Sequence, residues 1–350
     1  MRTLVVDANQ KLSVREVSMP KYTECQALVK TLACGICNGT DMKIIHGKFK
    51  NFDTYPATLG HEGVGKVVEV GSKVKNLKVG DVVMLPYVMG KIDDVYAGWG
   101  GYSEYCVVGD LGACIENGMG PGTPDFSEVY YAQTVIKPED KVDPVEAIMI
   151  VTFREVLSAI KRFNIKPNEN VFVMGAGPVG LCFTKFCKLL GATTVITSDI
   201  DDAKVTLAKQ MGADYAFNSK KTDVSAEVKK LFPQGVDHAI DAVGVLDLIN
   251  EAMALIKYNG QICCYGISPE LCMNLDWSKA PYNWVLHFNQ MPLKIEEMEA
   301  HAQVMSWINF GILKPNDFIS DVFAFDKILD AFELVEAKKS GTSKVVIKYY

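Results

Sequence analysis

From residue 169 onward, short apolar runs alternate with helix-like segments, and this alternation restricts the fold more than any other feature. "ENVFVM" (169–174) is typical of a buried strand, "PVGLCFTKFCKLLGA" (178–192) of a helix and "TTVITSD" (193–199) of a second strand. The pattern continues to about residue 288. Strands and helices that alternate at this spacing predict a parallel, doubly wound sheet in an α/β protein.

The flanking regions differ in character. Residues 1–110 alternate short β-rich runs with glycine-marked turns, whereas 111–127 hold four glycines and two prolines and are predicted to be an irregular excursion. The tail closes on "SKVVIKYY" (343–350), a predicted strand that rejoins the N-terminal part. We therefore predict a β-rich domain from residues 1–150 and 289–350, and a nucleotide-binding domain from residues 151–288.

Composition narrows the classes of function. A chain of 350 residues suggests about two domains. The net charge of -6, without a basic run, argues against nucleic acid or an anionic membrane as the main partner. Ten scattered cysteines do not form a secreted disulfide framework, so we expect free thiols and a cytoplasmic location.

A glycine-rich turn follows the first strand of the alternating region. Gly175, Gly177 and Gly180, with Pro178 and Val179 between them, form G-x-G-x-x-G between a strand and a helix. The glycines allow a tight turn, close approach of a pyrophosphate and close helix–strand packing, and the helix N-terminus attracts the anion. The alternative is that these glycines serve packing alone.

An acid stands where an adenosine ribose is expected. Asp199 lies 19 residues after Gly180, at the end of the second strand, and Asp201 and Asp202 follow without a nearby arginine. A 2′-phosphate would meet negative charge there, so NAD is favoured over NADP. The alternative is that Asp199 caps the next helix.

Two short motifs suggest a metal site. "TLACGICNGTD" (31–41) contains Cys34 and Cys37, which are a redox pair, half of a structural zinc site, or one ligand beside a bystander. His61 and Glu62 stand together in a glycine-rich stretch, 24 residues after Cys37. Thiolate, imidazole and carboxylate with an open position are typical of catalytic zinc, although this spacing alone is a weak signal.

Taken together and in this order, "GIC" followed by "TD", then "GHE-x2-G-x5-G-x2-V", then "GAGPVG" resemble the zinc-dependent medium-chain alcohol dehydrogenases, nearest their polyol (sorbitol-like) branch. The resemblance runs nearly end to end, apart from roughly 82–132. It implies a GroES-like β-rich catalytic domain, a Rossmann doubly wound coenzyme domain, and homodimers or homotetramers.

The resemblance also implies roles for individual residues. Cys37 and His61 match the first two zinc ligands, and Glu62 matches the adjacent acid. Thr40 matches the hydroxyl of the proton relay if one extra residue is allowed after Cys37, with Lys43 or His46 as the next group, and Lys204 matches a lysine that contacts the adenosine ribose. Cys34 is then a core thiol. The four clustered cysteines of the family's structural zinc are missing, since that region offers only Cys106 and Cys114, so we predict one zinc per chain.

The third protein ligand of the zinc is the least determined feature. The family spacing, counted back from Gly175, falls on Val151, which cannot bind zinc, and no cysteine lies between residues 114 and 182. We expect Glu62 to bind the metal, with water or substrate in the fourth position. Glu155 is the second choice, or a group that orients the water from outside the ligand shell.

The predicted function is zinc- and NAD-dependent interconversion of a secondary alcohol, of the polyol or sugar-derived class, and its ketone. Two alternatives are a zinc-free quinone or enoyl reductase of the same superfamily and a non-catalytic NAD-binding protein. The complete set Cys37, His61 and Glu62 argues against both.

Overall fold

The computed structural model describes residues 1–124 and 126–350. The chain divides into two compact units: unit 1 is Met1–Arg154 with Leu293–Tyr350, and unit 2 is Glu155–Pro292. The boundaries predicted from the sequence, 150/151 and 288/289, lie a few residues before the observed ones.

Unit 1 begins with short strands and helices, and its last helix in this part of the chain continues into unit 2. In chain order these elements are β1 (Arg2–Val6), β2 (Leu12–Glu16), β3 (Gln26–Ile36), α1 (Asp41–Ile45), β4 (Ala57–Thr58), β5 (Glu62–Val70), β6 (Val82–Met84), β7 (Lys91–Ile92), β8 (Val95–Ala97), β9 (Tyr105–Gly109), α2 (Leu111–Glu116), α3 (Val129–Ala132), β10 (Val135–Ile136), α4 (Pro144–Ala147) and α5 (Met149–Arg162).

Strands and helices alternate through unit 2, and the chain then returns to unit 1. The elements of unit 2 are β11 (Asn170–Met174), α6 (Pro178–Leu189), β12 (Thr194–Asp199), α7 (Asp202–Gln210), β13 (Tyr215–Asn218), α8 (Val224–Leu231), β14 (Val236–Asp241), α9 (Asp247–Met253), β15 (Ile256–Cys264) and β16 (Trp284–Phe288). The returning segment contains α10 (Lys294–Asn309), β17 (Ile319–Ala324), α11 (Ile328–Glu336) and β18 (Lys344–Lys348).

Unit 1 is built on two sheets, with strand orders β2-β1-β4-β8-β7 and β10-β6-β5-β3-β18-β17, and β9 pairs with β3. The C-terminal strand β18 lies antiparallel to β3, with Ile347 opposite Cys34. The tail therefore rejoins the N-terminal part because its continuous apolar run completes the sheet around β3. Val345, Val346 and Ile347 are fully buried there.

Unit 2 is a sheet in the order β13-β12-β11-β14-β15-β16, and every pair in it is parallel. Successive connections run first to one side of β11 and then to the other, so the topology switches between β11 and β14. Open parallel sheets bind ligands at this point, beyond the carboxyl ends of the strands. The predicted α/β fold is confirmed, with a GroES-like unit and a Rossmann-like parallel sheet.

Part of the predicted irregular excursion is helical. Leu111–Glu116 form α2, and the Asp110 carboxylate caps it by accepting a hydrogen bond from the Ala113 N–H at 3.1 Å. A side chain that accepts from the third residue of a helix offsets weak helix formers such as Gly112. Glycine content alone was therefore a misleading guide to this segment.

Among the described residues, no helix combines the length and apolar character needed to cross a bilayer.

Candidate active site

Strand pairing in unit 1 brings together three side chains that can bind a metal. Cys37 follows the last residue of β3, and His61 directly precedes Glu62, the first residue of β5. Because β3 and β5 are antiparallel, with Gly35 opposite Glu62, these ends are neighbours. One ligand atom each of Cys37, His61 and Glu62 lies within 4.8 Å of the others, and this Cys37–His61–Glu62 cluster could hold a metal ion.

A buried acid supports the cluster. Asp41 is fully buried, and its Oδ1 lies 3.6 Å from His61 Nδ1. Its Oδ2 accepts hydrogen bonds from the Cys37 N–H at 3.0 Å and the Tyr102 hydroxyl at 2.7 Å. Asp41 therefore contacts both the imidazole and the loop that carries the thiol.

The arrangement around His61 fits a metal-binding imidazole. Asp41 Oδ1 and His61 Nδ1 are buried, face each other and have no closer hydrogen-bond partner. A carboxylate behind one ring nitrogen commonly orients a histidine whose other nitrogen binds a metal. Burial by itself lowers the pKa of His61, but Asp41 and Cys37 outweigh it and raise that pKa well above its usual range.

Glu62 has a partner that the sequence analysis missed. Lys344 Nζ, on the first residue of β18, lies 2.6 Å and 2.5 Å from the two carboxylate oxygens of Glu62. Both side chains are nearly fully buried, at 3% and 2% exposure. A buried ion pair needs such close geometry to offset the loss of hydration. The pair joins residues 282 positions apart, and no local pattern around Lys344 indicates it.

The position that family spacing assigns to a third ligand is apolar. Val151 is fully buried in α5. The neighbouring Thr152 donates a hydrogen bond to Glu62 Oε1 at 3.3 Å. Glu155 lies one turn further along α5, is half-buried, and belongs to unit 2. Its predicted role toward a metal-bound water remains a prediction.

The three residues assigned to a proton relay lie on or beside α1. Thr40 is buried at the N-terminus of this helix. Lys43 Nζ donates to the Gly39 carbonyl at 3.1 Å, so this lysine contacts the loop that carries Cys37. His46 Nε2 contacts Glu336 Oε2 at 2.9 Å, and its side chain is 40% exposed. Their relay roles remain predictions.

The other cysteines of this region lie in packed surroundings. Cys34 is fully buried in β3, where burial raises its pKa well above the usual range. Cys106 is buried near Thr31, and burial raises its pKa to about 12. Cys114 lies in α2 and donates weakly to the Cys25 carbonyl. A protonated, enclosed thiol is a poor nucleophile and a poor metal ligand.

The glycine turn of unit 2 leaves open space beside Gly177. Gly177 caps α6, whose first two residues are Pro178 and Val179, and a Cβ at Gly177 would meet no atom within 4 Å. At Gly180, by contrast, a Cβ would lie 1.9 Å from the Gly175 carbonyl oxygen. The turn therefore leaves open space in front of a helix N-terminus, where backbone N–H groups bind anions.

Asp199 ends β12 beside this turn. Its Oδ2 accepts a hydrogen bond from the Ala176 N–H at 2.7 Å, and its Oδ1 accepts from the Asp201 N–H at 3.0 Å. The cap of α7 is Asp201, which accepts a hydrogen bond from the Ala203 N–H. Asp199 is therefore not the cap of this helix. Lys204 lies in the first turn of α7, half-buried.

Sequence comparison supplies the family. The alcohol dehydrogenase GroES-like domain matches residues 23–146, and the zinc-binding dehydrogenase domain matches residues 178–284. An alcohol dehydrogenase of Geobacillus stearothermophilus is 34% identical over 359 residues, covering 99% of both chains. This chain belongs to the zinc-dependent medium-chain alcohol dehydrogenase family. It is therefore an oxidoreductase of the alcohol dehydrogenase type.

Other members of the family are similar over the same length. A sorbitol dehydrogenase of Bacillus subtilis is 26% identical and matches 99% of this chain and 97% of its own. The solved structure of an alcohol dehydrogenase from Thermus sp. ATN1 superimposes with a TM-score of 0.81 over 100% of both chains, at 21% identity. The two-domain architecture is thus that of the family.

Proposed function

We propose that this protein is a zinc- and NAD-dependent dehydrogenase that interconverts a secondary alcohol, in particular a polyol or sugar-derived alcohol, and its ketone. The observation that carries the proposal is the Cys37–His61–Glu62 cluster, with ligand atoms within 4.8 Å of one another. The similarity to a sorbitol dehydrogenase favours a polyol. Asp199, beside the open glycine turn, favours NAD.

The donor set fits zinc. Cys37, His61 and Glu62 would hold the ion, and Asp41 orients the imidazole. A site with three protein ligands and an open position suits catalysis, since structural zinc sites are closed by four. Because the Glu62 carboxylate is paired with Lys344, it can bind zinc only while it also contacts this lysine. Glu155 is the group proposed to hold water in the open position.

The chemistry divides between the bound groups and the chain. Zinc supplies a Lewis acid that polarises the substrate oxygen, and NAD supplies the hydride acceptor. The Thr40 hydroxyl accepts the alcohol proton and passes it toward Lys43 or His46. Gly175, Gly177 and Gly180 shape the turn that receives the pyrophosphate, while Asp199 and Lys204 bind the adenosine ribose.

An activity screen tests the proposal. Zinc-loaded protein is assayed for NAD reduction with polyols, sugar phosphates and simple secondary alcohols, beside chelator-treated protein with and without added zinc. We expect reduction with a polyol that is lost on metal removal and restored by zinc. Undiminished activity without metal would instead support a zinc-free reductase, and no activity with any alcohol would support a non-catalytic NAD-binding protein.

The proposed partners are a small alcohol or ketone and further copies of this chain, as a homodimer or homotetramer, rather than nucleic acid or membrane. β16 lies at the edge of the unit 2 sheet and exposes Val285 and Phe288, at 43% and 59%. An exposed apolar edge strand favours pairing with another chain. Light scattering of the purified protein measures the oligomeric state. The ten cysteines are free, which supports the proposed cytoplasmic location.

A further inference from the structure

Trp99 has a backbone conformation that a bulky residue rarely adopts. Its φ of +70° lies in the left-handed region, where such a residue costs roughly 1–3 kcal/mol. The neighbours Gly98, Gly100 and Gly101 are free of this penalty. A glycine at position 99 would remove the strain, so the indole is retained at a cost that the surrounding structure must offset.

Backbone hydrogen bonds hold this turn against the segment that leads to His61. The Gly98 N–H donates to the Thr58 carbonyl at 2.7 Å, and the Gly101 N–H donates to the Gly60 carbonyl at 2.8 Å. The Trp99 carbonyl accepts a hydrogen bond from the Val88 N–H at 2.7 Å. Trp99 is thus fixed on both sides, directly beside the residue that precedes His61.

The indole of Trp99 lies against the metal cluster. Its ring centroid is 5.3 Å from that of His61, with the rings inclined by 54°. Phe49 also packs against the indole in an edge-to-face arrangement, with centroids 6.4 Å apart and an interplanar angle of 86°. Trp99 remains half-buried, whereas Tyr102, three residues on, is fully buried in the core. The strained residue therefore places an aromatic ring next to a predicted ligand.

We propose that Trp99 forms one wall of the substrate site and determines specificity by receiving the C–H face of a polyhydroxylated carbon chain. The proposal rests on the alcohol dehydrogenase function proposed above and names the wall that recognises its substrate. An indole face carries negative potential and attracts C–H groups polarised by neighbouring hydroxyl oxygens. A short, simple alcohol bound at the metal reaches little of this surface, so its binding depends weakly on the indole.

Steady-state kinetics test the wall. Zinc-loaded wild type, Trp99→Leu and Trp99→Phe are compared with sorbitol, xylitol, mannitol, propan-2-ol and benzyl alcohol as substrates of NAD reduction. Trp99→Leu is expected to lower kcat/KM for the best polyol about tenfold and for propan-2-ol less than about threefold. Trp99→Phe, which keeps an aromatic face, should retain most polyol activity. Trp277→Leu removes a tryptophan that is 68% exposed in unit 2, and is the matched control without effect.

Fluorine NMR with 5-fluorotryptophan separates this proposal from the proposed function. The Trp99 resonance is assigned by its loss in Trp99→Phe, and polyol is added to zinc-loaded wild type in the presence of NADH. We expect the Trp99 resonance to shift with polyol concentration and the Trp277 resonance to stay unchanged.

Each outcome decides one of the two ideas. The Trp99 wall is refuted if a polyol is oxidised but does not shift the Trp99 resonance. It is also refuted if Trp99→Leu oxidises that polyol with the kcat/KM of the wild type. Dependence on Trp99 seen with benzyl alcohol alone overturns the polyol class. A shifted Trp99 resonance without oxidation of any alcohol supports the Trp99 wall and refutes the dehydrogenase function. If the resonance does not shift and no alcohol is oxidised, both proposals are refuted.

Discussion

The glycine turn of unit 2 and the metal cluster of unit 1 are assembled in opposite ways. Six consecutive residues, 175–180, form the turn, and the groups it would offer to an anion are backbone N–H groups at the start of α6. The cluster takes Cys37 from the loop after β3 and His61 and Glu62 from the start of β5, and Lys344 of β18 pairs with Glu62. The first site is a local conformation, and the second exists only once distant strands have paired.

The two sites also differ in how they carry charge. The cluster region encloses Asp41, Glu62 and Lys344 at 0–3% exposure, so each charge there depends on a particular neighbour. In the turn, the anion would meet N–H dipoles that no single side chain supplies. Substitutions in unit 1 should therefore have larger effects than substitutions beside the turn.

Loss of a predicted ligand should have the largest effect. His61→Ala is expected to reduce bound zinc from about one per chain to below about 0.2. It should also lower kcat/KM at least about a thousandfold, because a Lewis acid contributes several kcal/mol to the transition state. Elemental analysis and NAD reduction measure the two quantities, with His287→Ala as the control. About two zincs per wild-type chain would contradict the single site predicted from the missing cysteine cluster.

Lys344→Met should come next, because it leaves the Glu62 carboxylate buried without its counter-charge. The free energy of unfolding of the metal-free protein is expected to fall by about 3–5 kcal/mol in urea titrations. Lys327→Met breaks an exposed pair with Asp330 and should change it by less than about 1 kcal/mol. Adding Glu62→Gln to Lys344→Met should recover part of the loss. Equal effects of the two lysine variants would show that the buried pair contributes little.

Asp41→Asn should weaken zinc binding without removing a ligand. Because the carboxylate orients His61, the Kd for zinc, measured by competition with a chelator, is expected to rise about 10–100-fold. Asp110→Asn alters another buried aspartate, the cap of α2, and should leave the Kd within about threefold. A Kd in Asp41→Asn that matches wild type would mean that packing alone orients the imidazole.

Asp199→Ala, beside the turn, should have the smallest effect. We expect kcat/KM with NAD to fall about tenfold and the gap to NADP to narrow, since ribose hydrogen bonds and repulsion of a 2′-phosphate are lost together. Asp223→Ala removes the cap of α8 in the same unit and is the control. Wild-type kcat/KM with NADP equal to or above that with NAD would contradict the predicted cofactor.

Features encoded by neighbouring residues were predicted from the sequence, whereas features that depend on distant contacts were not. "GAGPVG" and the alternation after residue 169 suffice for the parallel sheet, because the turn and the buried strands are encoded over a few neighbouring residues. The short helix α2 was missed because its stability depends on one cap, the Asp110 carboxylate, amid glycines. Asp41 was within reach: it is the "D" of the "TD" pair quoted for the resemblance, and a carboxylate near a metal-binding histidine is a common arrangement.

By itself, the sequence determined the alternation of strands and helices after residue 169, the glycine turn and the residue types able to bind a metal, since each depends on local spacing. Only the tertiary structure decided that Lys344 pairs with Glu62 across 282 positions and that Trp99 lies against His61. The first contact forms when β18 pairs with β3, and the second forms when the 98–101 turn bonds to the residues just before His61. Long-range pairing of this kind leaves no periodic trace in the chain, because a single residue at each end carries the contact.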